Sequence, residues 1–264
     1  MTRRFYIALT LLLAVPVLVW AQQTQNDLTI TVKDVNFKMI LVQGSTFTMG
    51  ATSEQLREAY DSEKPAHKVT LSTYYIGETE VTQALWTAVM GDNPSYLKGD
   101  ERPVDHVSWD DCQKFVSRLS QLTGKKFRMP TEAEWEFAAR GGSKSVGYKY
   151  SGANEIDAVA WQWDNAGSKG GTEDYGSHVV KTKKPNELGI YDMSGNVWEW
   201  CSDWWGDYSD AAQTNPQGAP EGSVRVCRGG GWGDHPEVCR NSIRKNSVPD
   251  SRNSNLGLRL VLLP

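Results

Sequence analysis

Four cysteines and a polar C-terminal stretch are the residues whose types point most directly to chemistry. Cys112, Cys201, Cys227 and Cys239 can bridge one another or, as thiolates, grip a soft metal ion. Four cysteines allow three complete pairings, and spacing alone does not choose among them. None forms a CxxC, and His67, His106, His178 and His235 are scattered, so no zinc centre is expected. His67 and His106 read as hydrogen-bonding surface or loop residues. Residues 231–255 are rich in Asn, Ser, Asp, Arg and Gly around Trp232. Adaptable polar groups beside a rigid aromatic have the make-up of a paratope. Trp232, Asp234, His235 and Arg244 are therefore candidates for a ligand-binding surface.

Three helices are legible among the elements that must position these groups. The first is expected over Glu80–Met90. The second spans Asp110–Leu122, with Ser108 as cap and Asp111 reaching back as in a capping box. Its apolar residues Cys112, Phe115, Val116, Leu119 and Leu122 share one helical face, which makes Cys112 a core residue, and Gly124 ends it. The third covers Glu132–Arg140, capped by Thr131 with Glu134 as box partner and stopped at Gly141-Gly142. Phe37, Met39, Leu41 and then Phe47, Met49 have a two-residue period about Gly44-Ser45, which predicts a hairpin. Val69–Ile76 reads as a strand. Beyond Gly142, Gly, Asn, Asp, Ser and aromatics dominate, and loops that long need ties. Trp109, Trp135, Trp198 and Trp200 are expected in the core. Trp204, Trp205 and Trp232 are expected to line a groove.

The chain has 264 residues with 28 Lys plus Arg against 32 Asp plus Glu, a formal charge of −4. That mild acidity argues against a nucleic-acid partner. Residues 1–21 read as a signal peptide: Arg3-Arg4, then the apolar run Ile7–Val19, then Val19-Trp20-Ala21 before the cut. The run is shorter than the ~20 residues a membrane helix needs, and no later segment is apolar enough to span. An exported protein is expected, whether periplasmic, attached to the cell surface or secreted. A short N-terminal segment, 22–35, precedes one domain over 36–264.

Six blocks occur in order: Thr79-Glu80-Val81-Thr82; Pro103-Val104-Asp105-His106-Val107-Ser108-Trp109; Arg128-Met129-Pro130-Thr131-Glu132-Ala133-Glu134-Trp135-Glu136; Asn186 through Trp200; Arg228-Gly229-Gly230-Gly231-Trp232; and Asn255-Leu256-Gly257-Leu258-Arg259-Leu260. Together they resemble the formylglycine-generating enzyme, or sulfatase-modifying factor, domain family. The resemblance implies an α+β fold, a loop-rich variant of the C-type lectin fold with little regular secondary structure. The family includes copper oxidases that convert a sulfatase cysteine to formylglycine. It also includes iron-dependent sulfur-transfer enzymes with an added helical domain, and lectin-like binding proteins.

The family's known sites transfer unevenly. Its formylglycine generators carry two cysteines, five residues apart, soon after the glycine turn. Counted forward from that turn, the first position falls on Asp234 and the second on Cys239; counted back from Pro249-Asp250-Ser251, the chain is shorter by about one turn, the pair's segment is deleted and Cys239 lies beyond it. On either count the first thiol is missing, so a copper dithiolate is not expected. The iron chemistry lacks its helical domain. A disulfide between Cys201 and Cys239 is expected instead, stapling the Trp-Glu-Trp strand to the loop after the glycine turn. The family's calcium loop implies Ca²⁺ held structurally by the side chains of Asp192 and Glu199 and the carbonyls of Gly195 and Val197, hard oxygen ligands of the kind Ca²⁺ takes. The functional expectation is an exported recognition or assembly protein with a protein or glycan ligand at its C-terminal loops. The alternatives are a formylglycine-generating oxidase or a structural component of a cell-surface or secretion assembly.

Overall fold

In the computed structural model, which describes residues 26–167 and 175–264, the three expected helices form with their caps. The signal-peptide expectation lies outside the described residues. Helix α1 (Gln83–Met90) begins later than expected because Thr82 caps it, accepting the Leu85 N–H at 3.3 Å. Glu80 and Val81 stay extended, and the Val81 N–H pairs with Leu258 O instead. Helix α2 (Trp109–Thr123) has the Ser108–Asp111 box and ends at Gly124, whose φ is 68°. Helix α3 (Glu132–Ala139) has the Thr131–Glu134 box, and every one of its residues is buried. A helix buried all round must satisfy its charges internally, and α3 carries three glutamates.

The strands follow in chain order: β1 (Leu28–Val32), β2 (Val35–Val42), β3 (Thr46–Met49), β4 (His67–Thr70), β5 (Tyr74–Gly77), β6 (Phe127–Arg128), β7 (Trp198–Trp204), β8 (Gln213–Thr214), β9 (Arg225–Arg228), β10 (Lys245–Ser247), β11 (Leu256–Leu258) and β12 (Val261–Leu262). They form a sheet ordered β1-β2-β5-β12-β6, another ordered β10-β9-β7-β11 and a small one ordered β3-β4-β8. From Leu28 onward the N-terminal segment is part of the domain, because β1 pairs antiparallel with β2.

Two strand expectations are corrected. The hairpin across Gly44-Ser45 does not form: β2 pairs with β1 and β5, while β3 pairs with β4 in another sheet. Gly44 presses on backbone, where a Cβ would lie 2.4 Å from Leu71 O, so the chain changes sheets there rather than folding back. The expected strand Val69–Ile76 is two strands, β4 and β5, in different sheets for the same reason. His67 is also corrected from surface to interior. It is buried in β4, with its ring edge-on to Tyr208 at 4.7 Å.

Trp135 and Trp200 are fully enclosed and Trp198 nearly so, whereas Trp109 is only partly buried. One apolar cluster joins α1 and α2 to β7 and β11, and a second surrounds α3. The loops are tied by buried ion pairs. Arg240 meets Glu63 at 2.8 Å with neither side chain exposed, which pins residues 56–63 to 240–242.

Candidate functional site

The conspicuous electrostatic feature is a group of buried carboxyls behind the turn that leads into β7. Asp192 opens this turn with a φ of 57°. Gly195 follows at φ 78°, and a Cβ there would come 2.2 Å from Trp161 O, so only glycine fits. The backbone thereby folds tightly enough for Glu80, Asp192 and Glu199 to face the same guanidinium, that of Arg259. Glu199 is fully engaged. Its Oε2 accepts from Trp135 Nε1 at 2.7 Å, and Arg259 donates to both carboxylate oxygens at 2.7–3.0 Å. Arg259 also donates to the carbonyls of Gly77 and Tyr191, each at 2.9 Å.

Glu80 and Asp192 are less well served. Glu80 accepts from Asn196 Nδ2 at 3.1 Å and from the Val197 N–H at 3.3 Å. Burial, reinforced by Asp192 and Glu199, pushes its carboxyl well above the usual range. Asp192 accepts the Lys181 N–H through Oδ2 at 2.8 Å, while its buried Oδ1 has no hydrogen-bond partner among the described residues. Burial raises the Asp192 carboxyl to about 6, with Lys181 and Arg259 opposing and Glu199 adding to the rise. With one guanidinium among three buried carboxyls, ionising all three is costly in a low-dielectric interior, which is why Glu80 and Asp192 are pushed up.

This geometry tests the expected calcium ligands. The spare Asp192 Oδ1 fits a hard cation. Glu199 does not fit as drawn, because both its oxygens are held by Trp135 and Arg259. Among the described residues no group of three His, Cys, Asp or Glu side chains is arranged to hold a metal. Glu80, which the sequence reading passed over, supplies the third carboxyl. It and Arg259 both stand inside motif blocks, but nothing along the chain signals that residues so far apart meet.

The thiols are isolated in a different way. All four cysteines are free and buried, so the expected Cys201–Cys239 disulfide is not formed. The reason is facing. Cys201, on β7, points into the cluster around α3, whereas Cys239 packs with Tyr150, Val159 and Ala160. Burial pushes all four thiols well up, which suppresses the thiolate that metals and oxidants require. Cys112 is core, as expected.

The expected recognition residues do not form one surface. Trp232 is buried, donates through Nε1 to Ser254 O at 3.0 Å, and meets Tyr175 edge-on at 4.7 Å. Asp234 Oδ2 accepts from Trp198 Nε1 at 2.7 Å and from the Gly231 N–H at 3.0 Å. His235 is exposed, its ring 5.6 Å from that of Trp163. Arg244 leaves this group altogether. It is buried against Glu132, at 2.6 Å, with its guanidinium 3.8 Å from the centre of the Tyr208 ring. Trp204 and Trp205 are half-buried beside it.

A family model described as the sulfatase-modifying factor enzyme 1-like domain matches residues 25–263. The chain belongs to this family. The chaperone protein LppX of Paenibacillus barcinonensis is 36% identical, over 86% of this chain and 90% of its own length. The formylglycine-generating enzyme of Bos taurus is 30% identical, over 84% of this chain and 74% of its own length. Among solved structures, Treponema denticola variable protein 1 matches with a TM-score of 0.82 at 35% identity, covering 91% of this chain and 100% of that one. The α+β, loop-rich fold expected for a sulfatase-modifying factor domain is the fold observed. No helix among the described residues is long and apolar enough to cross a membrane.

Proposed function

We propose that this sulfatase-modifying factor domain serves as an exported recognition or assembly protein and not as a formylglycine generator. One observation carries the reading. Counted forward from the glycine turn, the position of the generators' first thiol is taken by Asp234, whose carboxylate accepts from Trp198 Nε1 and the Gly231 N–H. Cys239, at the second position, is buried and protonated, its thiol raised by burial and then by Asp234 and Glu237. A lone, neutral thiol is a poor ligand for Cu(I), which calls for a pair of thiolates. Similarity to a protein named as a chaperone is in keeping with an assembly role. We assign the ligand, a protein or a glycan, to the exposed loop around His235, with buried Trp232 and half-buried Asp234 beneath it. Incubated with copper, oxygen and a cysteine peptide of sulfatase type, the protein is expected to yield no aldehyde detectable by hydrazide capture. Turnover above the peptide-only control would overturn the reading.

A structural Ca²⁺ at Asp192 belongs to the same proposal. Asp192 Oδ1 would hold it together with the carbonyls of Gly195 and Val197, while Glu199 stays on Arg259 and orients the turn. The orphaned buried oxygen supports this. Chelation is then expected to lower the melting temperature by several degrees, since a ligand bound only to the native state stabilises it. Asp192→Ala is expected to abolish that difference, and a melting curve indifferent to chelator would remove the ion.

A further inference from the structure

A cavity of about 160 Å³ lies between the end of β7, the start of α3 and the loop over residues 206–219. It is separate from the thiol position and from the carboxyls around Arg259. His67, Glu132, Asp203 and Arg244 line it, and each is more than nine-tenths buried. Buried ionisable groups gathered on one cavity wall mark a candidate site on physical grounds.

The wall presents acceptors. Arg244 donates through Nε and Nη2 to Glu132, through Nη1 to Ser62 O and through Nη2 to Gly206 O, so every nitrogen of its guanidinium is engaged. Glu132 also accepts from the Tyr208 hydroxyl at 3.1 Å. The Nδ1 of His67 lies 3.1 Å from Pro65 O. A carbonyl only accepts, so Nδ1 carries a proton. Asp203 Oδ2 accepts from the Glu132 N–H and the Ser202 hydroxyl, both at 3.0 Å. Among the described residues no hydrogen bond reaches its Oδ1, and Asp207 adds a further carboxyl to the lining. The ring faces that would stack a sugar are partly taken: Arg225 covers Trp204 at 3.3 Å and Arg244 covers Tyr208 at 3.8 Å.

Such a wall wants a compact donor that brings positive charge. We propose that this cavity binds a primary ammonium group, from a lysine side chain or a free alkylamine, with Asp203 as its counter-ion. Burial and Glu132 hold the Asp203 carboxyl up at about 7, so a cation there relieves an unfavourable arrangement already present.

The test is titration of the intact protein at pH 8 with n-butylammonium, followed by calorimetry and by the fluorescence of Trp204. Saturable 1:1 binding is expected, with n-butanol at least tenfold weaker. Asp203→Asn is expected to weaken binding at least tenfold. Because Asp203 also accepts the first N–H of α3, Ala219→Leu, which adds bulk at a half-buried position of the cavity lining, provides a second variant with the same expected loss and an unchanged melting temperature. A glycine-lysine-glycine peptide that binds more tightly than n-butylammonium would identify a protein partner, and equal binding a free amine. No saturation by either amine, equal binding of butanol, or undiminished binding by both variants would overturn the site.

Discussion

Leucine in place of Arg259 is expected to lower the melting temperature by about 6–20 °C. Removing one partner of a buried ion pair costs about 3–5 kcal/mol, and a domain of this size loses roughly 2–4 °C per kcal/mol. Arg259 has no exposed surface and answers three carboxyls at once. Its loss leaves Glu199 with only the Trp135 N–H, and Glu80 and Asp192 with no guanidinium. Two further variants distinguish this from simple loss of packing. Arg259→Lys keeps the charge but not the fork that reaches Gly77 O and Tyr191 O, and should recover part of the loss. Arg259→Leu combined with Glu199→Leu should also recover part, since Glu80 and Asp192 remain. A fall of only one or two degrees for Arg259→Leu would show that the cluster is solvated and the charge argument wrong.

Glu136→Gln is the second large effect, a fall of about 6–12 °C for about 3 kcal/mol at the lower end of the same range. Glu136 is wholly buried on α3. It pairs with Arg228, accepts from Arg140 Nε at 2.8 Å, and accepts the Gly50 N–H at 2.8 Å. The amide keeps the shape and an acceptor but removes the charge between two buried guanidinium groups. Thermal melts beside Glu58→Gln supply the contrast. Glu58 pairs with Lys149 in a half-exposed setting, where such pairs contribute at most about 1 kcal/mol. Equal shifts for the two glutamates would mean that burial does not set the strength of these pairs.

These two predictions rest on contacts that no window of sequence displays. Glu136 to Arg228 and Glu199 to Arg259 are joined across long stretches of chain, and charge patterning along a helix reports only neighbours three or four residues away. The helices were legible because their information is local. Ser108 with Asp111 and Thr131 with Glu134 satisfy the first N–H groups of α2 and α3 wherever the rest of the chain goes. The short strands were less legible. The alternation in 37–49 identified extended chain on both sides of Gly44 correctly, but alternation does not name a partner. The partner was set by the close approach of Gly44 to the 71–73 backbone.

The candidate site divides along the same line. That the first thiol of the family's pair is missing is a matter of counting residues around Gly229-Gly230-Gly231, and the sequence determined it without help, along with the family and the caps of α2 and α3. Which groups meet was decided only by the tertiary structure: Glu80 beside Asp192, Arg244 withdrawn onto Glu132, His67 turned inward, and Cys201 and Cys239 facing different clusters. Residue type and spacing fix local hydrogen bonding, whereas the fate of a charge or a thiol depends on what the fold packs against it and on how much water is left there.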